Sequence, residues 1–153
     1  MIRLKALIAN ILIALGVGGL AGLLTRNSMD AFEQLNKPVF SPPGVVFPIV
    51  WTILYILMGI SAYLIYTSDS KGKKAAMNVY AIQLAMNFFW SIIFFGLEAY
   101  TFAFVWLVIL WIFIAIMIYL FSKINKVAAF LQIPYFLWVT FAGVLNLAIA
   151  ILN

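Results

Sequence analysis

Charged residues are so rare along the chain that they divide it into five uncharged spans. The spans cover residues 6–25, 38–68, 75–97, 99–122 and 127–153. A helix that crosses the hydrocarbon core of a bilayer needs about 20 apolar residues, and its backbone polar groups must be hydrogen-bonded within the segment. The pattern therefore predicts an all-α integral membrane bundle, one domain over residues 1–153. We expect five transmembrane helices, near residues 6–25, 44–67, 75–97, 99–122 and 127–151.

The second span is longer than one helix requires. Its beginning, within the stretch NKPVFSPPGVVFPIVW at residues 36–51, is rich in proline. Pro38, Pro42 and Pro43 lack backbone donors and favour extended geometry in the residues before them. Helix two is therefore expected to start near Gly44, after a long loop over residues 26–43. Long loops in compact proteins are often lids or binding loops.

Composition supports a membrane environment and excludes several classes of function. The chain is 67% hydrophobic and 8% charged, with a mean hydropathy of +1.18. Its net charge of +5 is scattered rather than gathered into a basic stripe, so no nucleic-acid partner is expected. Histidine and cysteine are both absent, which removes the commonest ligands of zinc and haem and the commonest general base. We expect no metal site, no cofactor and no catalytic triad.

Cations are distributed unevenly between the two sides of the predicted bundle. Seven lie on one side: Arg3, Lys5, Lys71, Lys73, Lys74, Lys123 and Lys126. The other side has only Arg26 and Lys37. By the positive-inside rule the N-terminus is cytoplasmic and the C-terminus outside. We expect the first span to be a retained helix rather than a cleaved signal peptide.

The tryptophans lie too deep for an interfacial belt. Trp90 and Trp106 are each eight residues from Glu98, and the others are at least 12 residues from any charge: Trp51, Trp111 and Trp138. At about 1.5 Å per residue, Trp51, Trp90 and Trp106 are predicted roughly 10 to 12 Å below the outer surface. Four helices should therefore supply large aromatic rings at similar depths, with Trp138 nearer the midplane.

Small and polar residues recur beside these tryptophans at helical spacing: Tyr55 and Gly59 with Trp51; Asn87, Ser91 and Phe94 with Trp90; Ala142 and Asn146 with Trp138. Buried amides in hydrocarbon need partners, so the asparagines should face the bundle interior. Interhelical hydrogen bonding alone would account for each amide. The convergence of rings, amides and small residues beneath the long loop instead predicts a mostly apolar pocket with a few orienting polar groups.

Two further patterns bear on function. Residues 16–21 formally match a dinucleotide fingerprint, but they lie inside an apolar span without a preceding strand. Gly18 and Gly22 are instead predicted to form a close-packing face within or between chains. No charged residue lies within a span, which argues against an ion-coupled transporter.

Four segments identify a family resemblance: LNKPVFSPPG, FPIVWTILY, MNFFWSIIFFG and IPYFLWVTFAGVLN. They resemble the signature blocks of the translocator protein family, also called tryptophan-rich sensory proteins or peripheral benzodiazepine receptors. The resemblance covers about residues 30 to 153. It implies a five-helix bundle, commonly a homodimer, with a pocket under the first long loop. The implied ligands are porphyrins such as protoporphyrin IX, other tetrapyrroles and synthetic benzodiazepine-type compounds.

Carried over by position, the resemblance implies a set of ligand-binding residues. Pro42 and Pro43 would form the rim. The lining would comprise Trp51, Asn87, Trp90, Trp138 and Ala142, with Phe32, Tyr55, Phe94 and Asn146 as additions. No catalytic residue is expected unless porphyrin is degraded in light, in which case Trp51 and Trp138 are the candidates.

The chain departs from the family pattern in two places. Ala31 and Phe32 replace the Trp-Tyr pair of many relatives, which removes a phenol, and the chain ends at Asn153 without the sterol motif of mitochondrial members. We therefore expect tetrapyrrole rather than sterol binding, in a bacterial cell membrane, by a sensor or regulator. The alternatives are a light-dependent porphyrin-degrading enzyme, a transporter of hydrophobic metabolites and a bundle whose aromatic residues only pack.

Overall fold

The computed structural model describes residues 2–153, and all regular structure in that range is helical. The α-helices are α1 (Leu4–Thr25), α2 (Met29–Glu33), α3 (Val46–Tyr66), α4 (Lys73–Ser91), α5 (Tyr100–Ser122), α6 (Lys126–Leu131) and α7 (Ile133–Leu152). A 3-10 turn, Arg26–Ser28, joins α1 to α2, and a π-helical turn, Ile92–Gly96, extends α4. Within this range five helical runs are long and apolar enough to cross a membrane. The predicted all-α membrane bundle is therefore confirmed.

The spans form a ring around a common core. Helix α1 packs mainly on α3 and also on α4, α4 packs on α5, and α5 packs on α7. The short α6 bridges α3 and α5. Contact between the backbones of α3 and α7 is sparse, so the space between these two helices is filled by large side chains.

Three elements depart from the expected single helices. The loop expected over residues 26–43 contains the 3-10 turn and α2. The π-helical turn replaces the last α-helical turn of the third span, with Leu97 N donating to Ile92 O at 2.9 Å. The fifth span is broken at Gln132 into α6 and α7. The break follows from Pro134, which has no N–H to donate to the carbonyl four residues earlier.

Alternating helix directions bring the seven cations predicted on one side to the same end of the bundle. At this end the backbone N–H of Arg3 donates to the hydroxyl of Tyr63 at 2.8 Å. A Cβ added to Gly72 would lie 3.8 Å from Ile124 Cδ1, so the α3–α4 and α5–α6 loops are adjacent. Which side of the membrane this end faces stays a prediction.

Helices α1 and α3 approach each other most closely at Gly59. A Cβ at this position would collide with the backbone of Ile11 and the carbonyl oxygen of Asn10. Glycine is therefore needed here for helix packing, because backbone atoms cannot move aside as a flexible side chain can.

Candidate ligand-binding site

Trp51, Trp90 and Trp138 converge beneath α2, each from a different transmembrane span. Trp51 and Trp138 meet edge to face, with ring centroids 6.4 Å apart, and Trp90 stacks on Phe94 at 5.1 Å. The space that this aromatic cluster encloses has a volume of only about 20 Å³. Its lining consists of Phe32, Phe47, Trp51, Trp90, Phe94, Phe95, Trp138, Ala142, Leu145 and Asn146. A single water needs about 10–15 Å³, so the rings meet as predicted but the expected hollow is nearly closed.

A much larger cavity, which we call the α1 cavity, lies on the other side of Trp51. Its volume is about 500 Å³, within the range of about 300–1,000 Å³ typical of ligand pockets. Most of its lining comes from α1 and the start of α3, and the rest comes from the 3-10 turn, α2, the loop before α3 and the end of the third span. The lining residues are Leu15, Gly18, Gly19, Ala21, Gly22, Thr25, Arg26, Met29, Gly44, Phe47, Pro48, Trp51, Thr52, Tyr55, Ser91 and Phe95. The walls are mostly apolar, with a few hydroxyl groups and one cation.

Glycines on α1 leave room for this cavity. A side chain on Gly19 or Gly22 would meet no heavy atom within 4 Å, whereas one on Gly18 would collide with the ring of Tyr55. Gly18 therefore makes the predicted close contact within the chain, whereas Gly22 makes none within the chain, and packing of Gly22 between chains stays a prediction. The missing side chain of Gly22 contributes space instead of a helix contact.

Three rings separate the α1 cavity from the aromatic cluster. Phe47, Trp51 and Phe95 line both spaces. Trp51 stacks on Tyr55 with centroids 5.6 Å apart and an interplanar angle of 29°. The wall between the two spaces thus consists of side chains and not of backbone, so a change of rotamer would join them.

The π-helical turn determines where two of the aromatic rings point. It holds one more residue per turn than an α-helix. Phe94 lies over Trp90, while its neighbour Phe95 lines the α1 cavity as well as the cluster. The two phenylalanine rings contact each other at 4.8 Å. In this turn, two consecutive residues thus line the aromatic cluster, and the second of them, Phe95, also lines the α1 cavity.

The predicted amides are fully engaged in interhelical hydrogen bonds. Asn87 accepts from the Tyr55 hydroxyl at 2.9 Å and donates to the Tyr135 hydroxyl at 2.8 Å. Asn146 accepts from Trp90 Nε1 at 3.1 Å and donates to a backbone carbonyl at 2.9 Å. Asn87 lines neither space, and Asn146 lines the aromatic cluster. The alternative of interhelical bonding therefore describes both amides in this conformation.

One polar atom near the cluster has no protein partner. The indole N–H of Trp138 is buried and makes no hydrogen bond to any described residue. A buried donor left unpaired costs about 1–3 kcal/mol. Trp138 therefore offers a free donor to any acceptor that enters the cluster.

Helix α2 covers the cluster. Phe32 is 3% exposed and packs against Phe47 at 5.7 Å and Phe95 at 5.4 Å. Lys37 Nζ lies 4.8 Å from the centre of the Phe32 ring and donates to the Phe32 carbonyl at 3.3 Å. The side chain of Asn153 holds the following loop by two hydrogen bonds to the backbone of Asn36. We call α2 and the following residues 34–43 the lid, and these bonds tie the lid to the end of α7.

Other predicted residues lie outside both spaces. Pro42 and Pro43 line neither of them, and the following Gly44 lines the α1 cavity. Trp106 donates to the Met86 carbonyl at 2.8 Å, and Trp111, 37% exposed, stacks on Phe136 at the surface between α5 and α7. Trp106 lines neither space, because residue counting gives depth along a helix but not the direction in which a side chain points.

Phe47, Phe95 and the α1 glycines were missed from the sequence. Phe47 precedes Trp51 by four residues, so helical spacing could have placed it on the same face. The inward face of α1 had no such signal because this helix is apolar all round. Phe95 reaches the site through the π-helical turn, which regular α-helical spacing does not anticipate.

Comparisons with known proteins agree with this architecture. Residues 9–152 match the model of the TspO/MBR family. The chain is 40% identical to the tryptophan-rich protein TspO of Chlorobaculum tepidum over 80% of this chain and 78% of that protein. It is 34% identical to the tryptophan-rich sensory protein of Cereibacter sphaeroides over 97% of this chain and 92% of that protein. It is also 34% identical to the translocator protein of Ovis aries over 75% of this chain and 70% of that protein. The chain belongs to the TspO/MBR family of membrane proteins.

Proposed function

We propose that the chain binds flat hydrophobic ligands of the tetrapyrrole class in the α1 cavity and the adjoining aromatic cluster, as a sensor or regulator of tetrapyrrole metabolism. The observation that carries the proposal is the position of Trp51, whose ring lines both spaces. A ligand in the α1 cavity would therefore lie against an indole face. Offset stacking on such a face is favourable for planar aromatic molecules.

Polar groups at the edge of the cavity suit the edge of a porphyrin. Arg26 lines the α1 cavity at the end nearest the lid. Its guanidinium would pair with a propionate carboxylate in a charge-assisted hydrogen bond. The free indole N–H of Trp138 would serve a second acceptor if the wall between the two spaces opened. Synthetic benzodiazepine-type compounds, with aromatic rings and carbonyl acceptors, fit the same chemistry.

A complete porphyrin is expected to need the two spaces joined. Rotation of Trp51 or Phe95 would add the volume behind the wall to the α1 cavity. The chain contains no histidine or cysteine that could ligate haem iron strongly. Metal-free protoporphyrin IX should therefore bind at least as well as haem.

A titration of tryptophan fluorescence in detergent tests the proposal, with samples shielded from ambient light and excited only briefly to limit photochemistry. We expect saturable quenching by protoporphyrin IX in the wild type. Gly22→Leu should weaken binding at least tenfold, because a leucine would project into the α1 cavity. Gly16→Leu is the matched control, since Gly16 also has open space around it but does not line the cavity. Equal affinity in wild type and Gly22→Leu would contradict binding in this cavity.

A further inference from the structure

Helix α4 carries a buried polar stripe that continues below the candidate site. Tyr80, Gln83, Asn87 and Trp90 follow at spacings of three, four and three residues, and all four side chains are buried. These spacings place them on one face of the helix. The stripe therefore runs through the bundle interior from the aromatic cluster toward the cation-rich end.

The middle of this stripe is hydrogen-bonded to helices α3 and α7. The Tyr55 hydroxyl donates to Asn87, Asn87 donates to the Tyr135 hydroxyl, and Tyr135 donates to Gln83 Oε1 at 2.7 Å. Tyr55 also lines the α1 cavity. A continuous chain of hydrogen bonds therefore leads from the cavity wall to Gln83.

The chain of hydrogen bonds between side chains ends at Gln83 and does not reach the polar residues nearer the cation-rich end. Helices α4 and α7 both run away from the cation-rich end, and the bond between Gln83 and Tyr135 fixes their register. Tyr80 and Gln132, each three residues earlier, consequently lie about 4.5 Å nearer that end on their respective helices. Gln132 occupies the break between α6 and α7, where its side chain is 0% exposed.

Four polar atoms, at Gln83 and at the two residues nearer the cation-rich end, are buried without a partner among the described residues. They are both amide atoms of Gln132, the Nε2 of Gln83 and the hydroxyl of Tyr80. Amides and hydroxyls buried without hydrogen bonds are rare, because each costs on the order of 1–3 kcal/mol. Four such atoms on facing helices are better explained by a shared ligand than by four separate losses.

We infer that Tyr80, Gln83 and Gln132 form a binding site for one or more internal water molecules. The three side chains offer amide donors, an amide acceptor and a hydroxyl that can do either, which suits water because it both donates and accepts. None of the three is charged, so the site favours a neutral ligand over an ion. Buried waters typically make about three hydrogen bonds, and irregular backbone within a membrane is tolerated where it is enclosed by protein or faces water.

This inference does not depend on ligand binding in the α1 cavity. The water would extend the hydrogen-bonded chain from Tyr55 past Gln83 to the break in the fifth span. Tyrosine hydroxyls and water can both reverse their donor direction, so the chain could reorient when a ligand acceptor approaches Tyr55. The break at Gln132 would then serve to expose polar groups to water inside the bundle.

Water-edited NMR of the full chain in detergent micelles or nanodiscs tests the site. Magnetisation is transferred from water to the side-chain amide protons of assigned glutamines. We expect transfer to both Gln83 and Gln132 with the sign of long-lived bound water, although both side chains are fully buried. No transfer to the Gln132 amide in the wild type would overturn the inference.

Two variants are compared so that the test does not depend on whether a single substituted chain folds. Gln132→Met preserves volume and removes both amide atoms, so transfer to Gln83 should fall at least fivefold. Tyr80→Phe removes one hydroxyl and should reduce the transfer to both glutamines even if Gln132→Met does not fold. Leu131→Met is the matched control and should leave the transfer unchanged. Undiminished transfer to Gln83 in both Gln132→Met and Tyr80→Phe would overturn the assignment.

Discussion

The indole rings of Trp51 and Trp138 stand perpendicular to each other, with centroids 6.4 Å apart, and join α3 to α7. Their contact closes the aromatic cluster from the side of the α1 cavity. Because the backbones of α3 and α7 make few direct contacts, these rings and the neighbouring pairs Phe47–Trp138 and Trp51–Tyr135 fill the space between the two helices.

Replacement of Trp138 should weaken porphyrin binding. Trp138→Ala removes a stacking surface and should cost about 1–3 kcal/mol, by analogy with the stacking of bases on aromatic side chains. Trp138→Phe keeps a ring but loses the free indole donor, so its affinity should be intermediate. Fluorescence quenching measures both. Trp111→Ala is the control, because Trp111 lies on the outer surface of the bundle, and an equal loss of affinity in this variant would contradict a specific site.

Removal of the Asn87 amide should destabilise the bundle. Asn87→Leu leaves the Tyr55 hydroxyl without its acceptor and deprives Tyr135 of a donor. We expect a loss of about 1–3 kcal/mol in the free energy of unfolding, measured by denaturation in mixed micelles of increasing SDS content. Asn78→Leu on the exposed face of α4 should change stability by less than about 0.5 kcal/mol. Equal stability of Asn87→Leu and wild type would show that the network contributes nothing.

The contact between α1 and α3 should be sensitive to a single methyl group. Gly59→Ala forces the backbone of Ile11 away and should lower stability by about 1–3 kcal/mol. Gly16→Ala places the same methyl group where no heavy atom lies within 4 Å and should stabilise α1 by up to about 1 kcal/mol. Thermal unfolding in detergent measures both. Opposite signs for the two variants are the expected result, and a neutral Gly59→Ala would contradict the close approach.

Loss of the Asn153 side chain should loosen the lid. Asn153→Ala removes both hydrogen bonds to the backbone of Asn36. Two hydrogen bonds of about 0.5–1.5 kcal/mol each predict roughly tenfold faster hydrogen exchange at the lid amides of Leu35 and Ser41. Asn27→Ala, at an exposed position outside this contact, should leave their exchange unchanged. Unaltered exchange in Asn153→Ala would mean that the tether does not hold the lid.

The predicted orientation can be tested by cysteine labelling, with the chain purified before the label is measured, without a background signal from the chain itself, because it contains no native cysteine. In intact bacteria that express single-cysteine variants, a membrane-impermeant maleimide should label Asn27→Cys, in the loop before the lid. Ser70→Cys, in the α3–α4 loop at the cation-rich end, should react only after permeabilisation. The reverse pattern would place the N-terminus outside.

The five spans and the meeting of three tryptophans were predictable because both depend on spacing along single helices. The absence of charges indicated the spans, and the similar depths of Trp51 and Trp90, with Trp138 nearer the midplane, predicted that these rings meet. Trp106, predicted at the same depth as Trp51 and Trp90, lines neither space, because depth does not fix the direction of a ring. The side of a helix on which a residue lies can be predicted only from a polar stripe or from known packing partners. Helix α5 is so uniformly apolar that its sequence shows no such stripe.

The state of the site was not predictable from residue types. Tryptophan, phenylalanine and alanine can line an open pocket or fill it, and the sequence does not distinguish the two. The α1 cavity depends on side chains that are missing at Gly19 and Gly22, and a run of glycines was more naturally interpreted as a packing face. The break at Gln132 was likewise hidden, because Pro134 alone does not reveal whether a helix bends or ends.

The wall of three rings has a kinetic consequence. Phe47, Trp51 and Phe95 can swing aside without any displacement of a transmembrane helix. Exposed side chains change rotamer in picoseconds to nanoseconds and packed rings more slowly, whereas collective helix motions take microseconds to milliseconds. Under the proposed function, the volume available to a ligand would therefore change on the time scale of side-chain rotation rather than on that of helix motion.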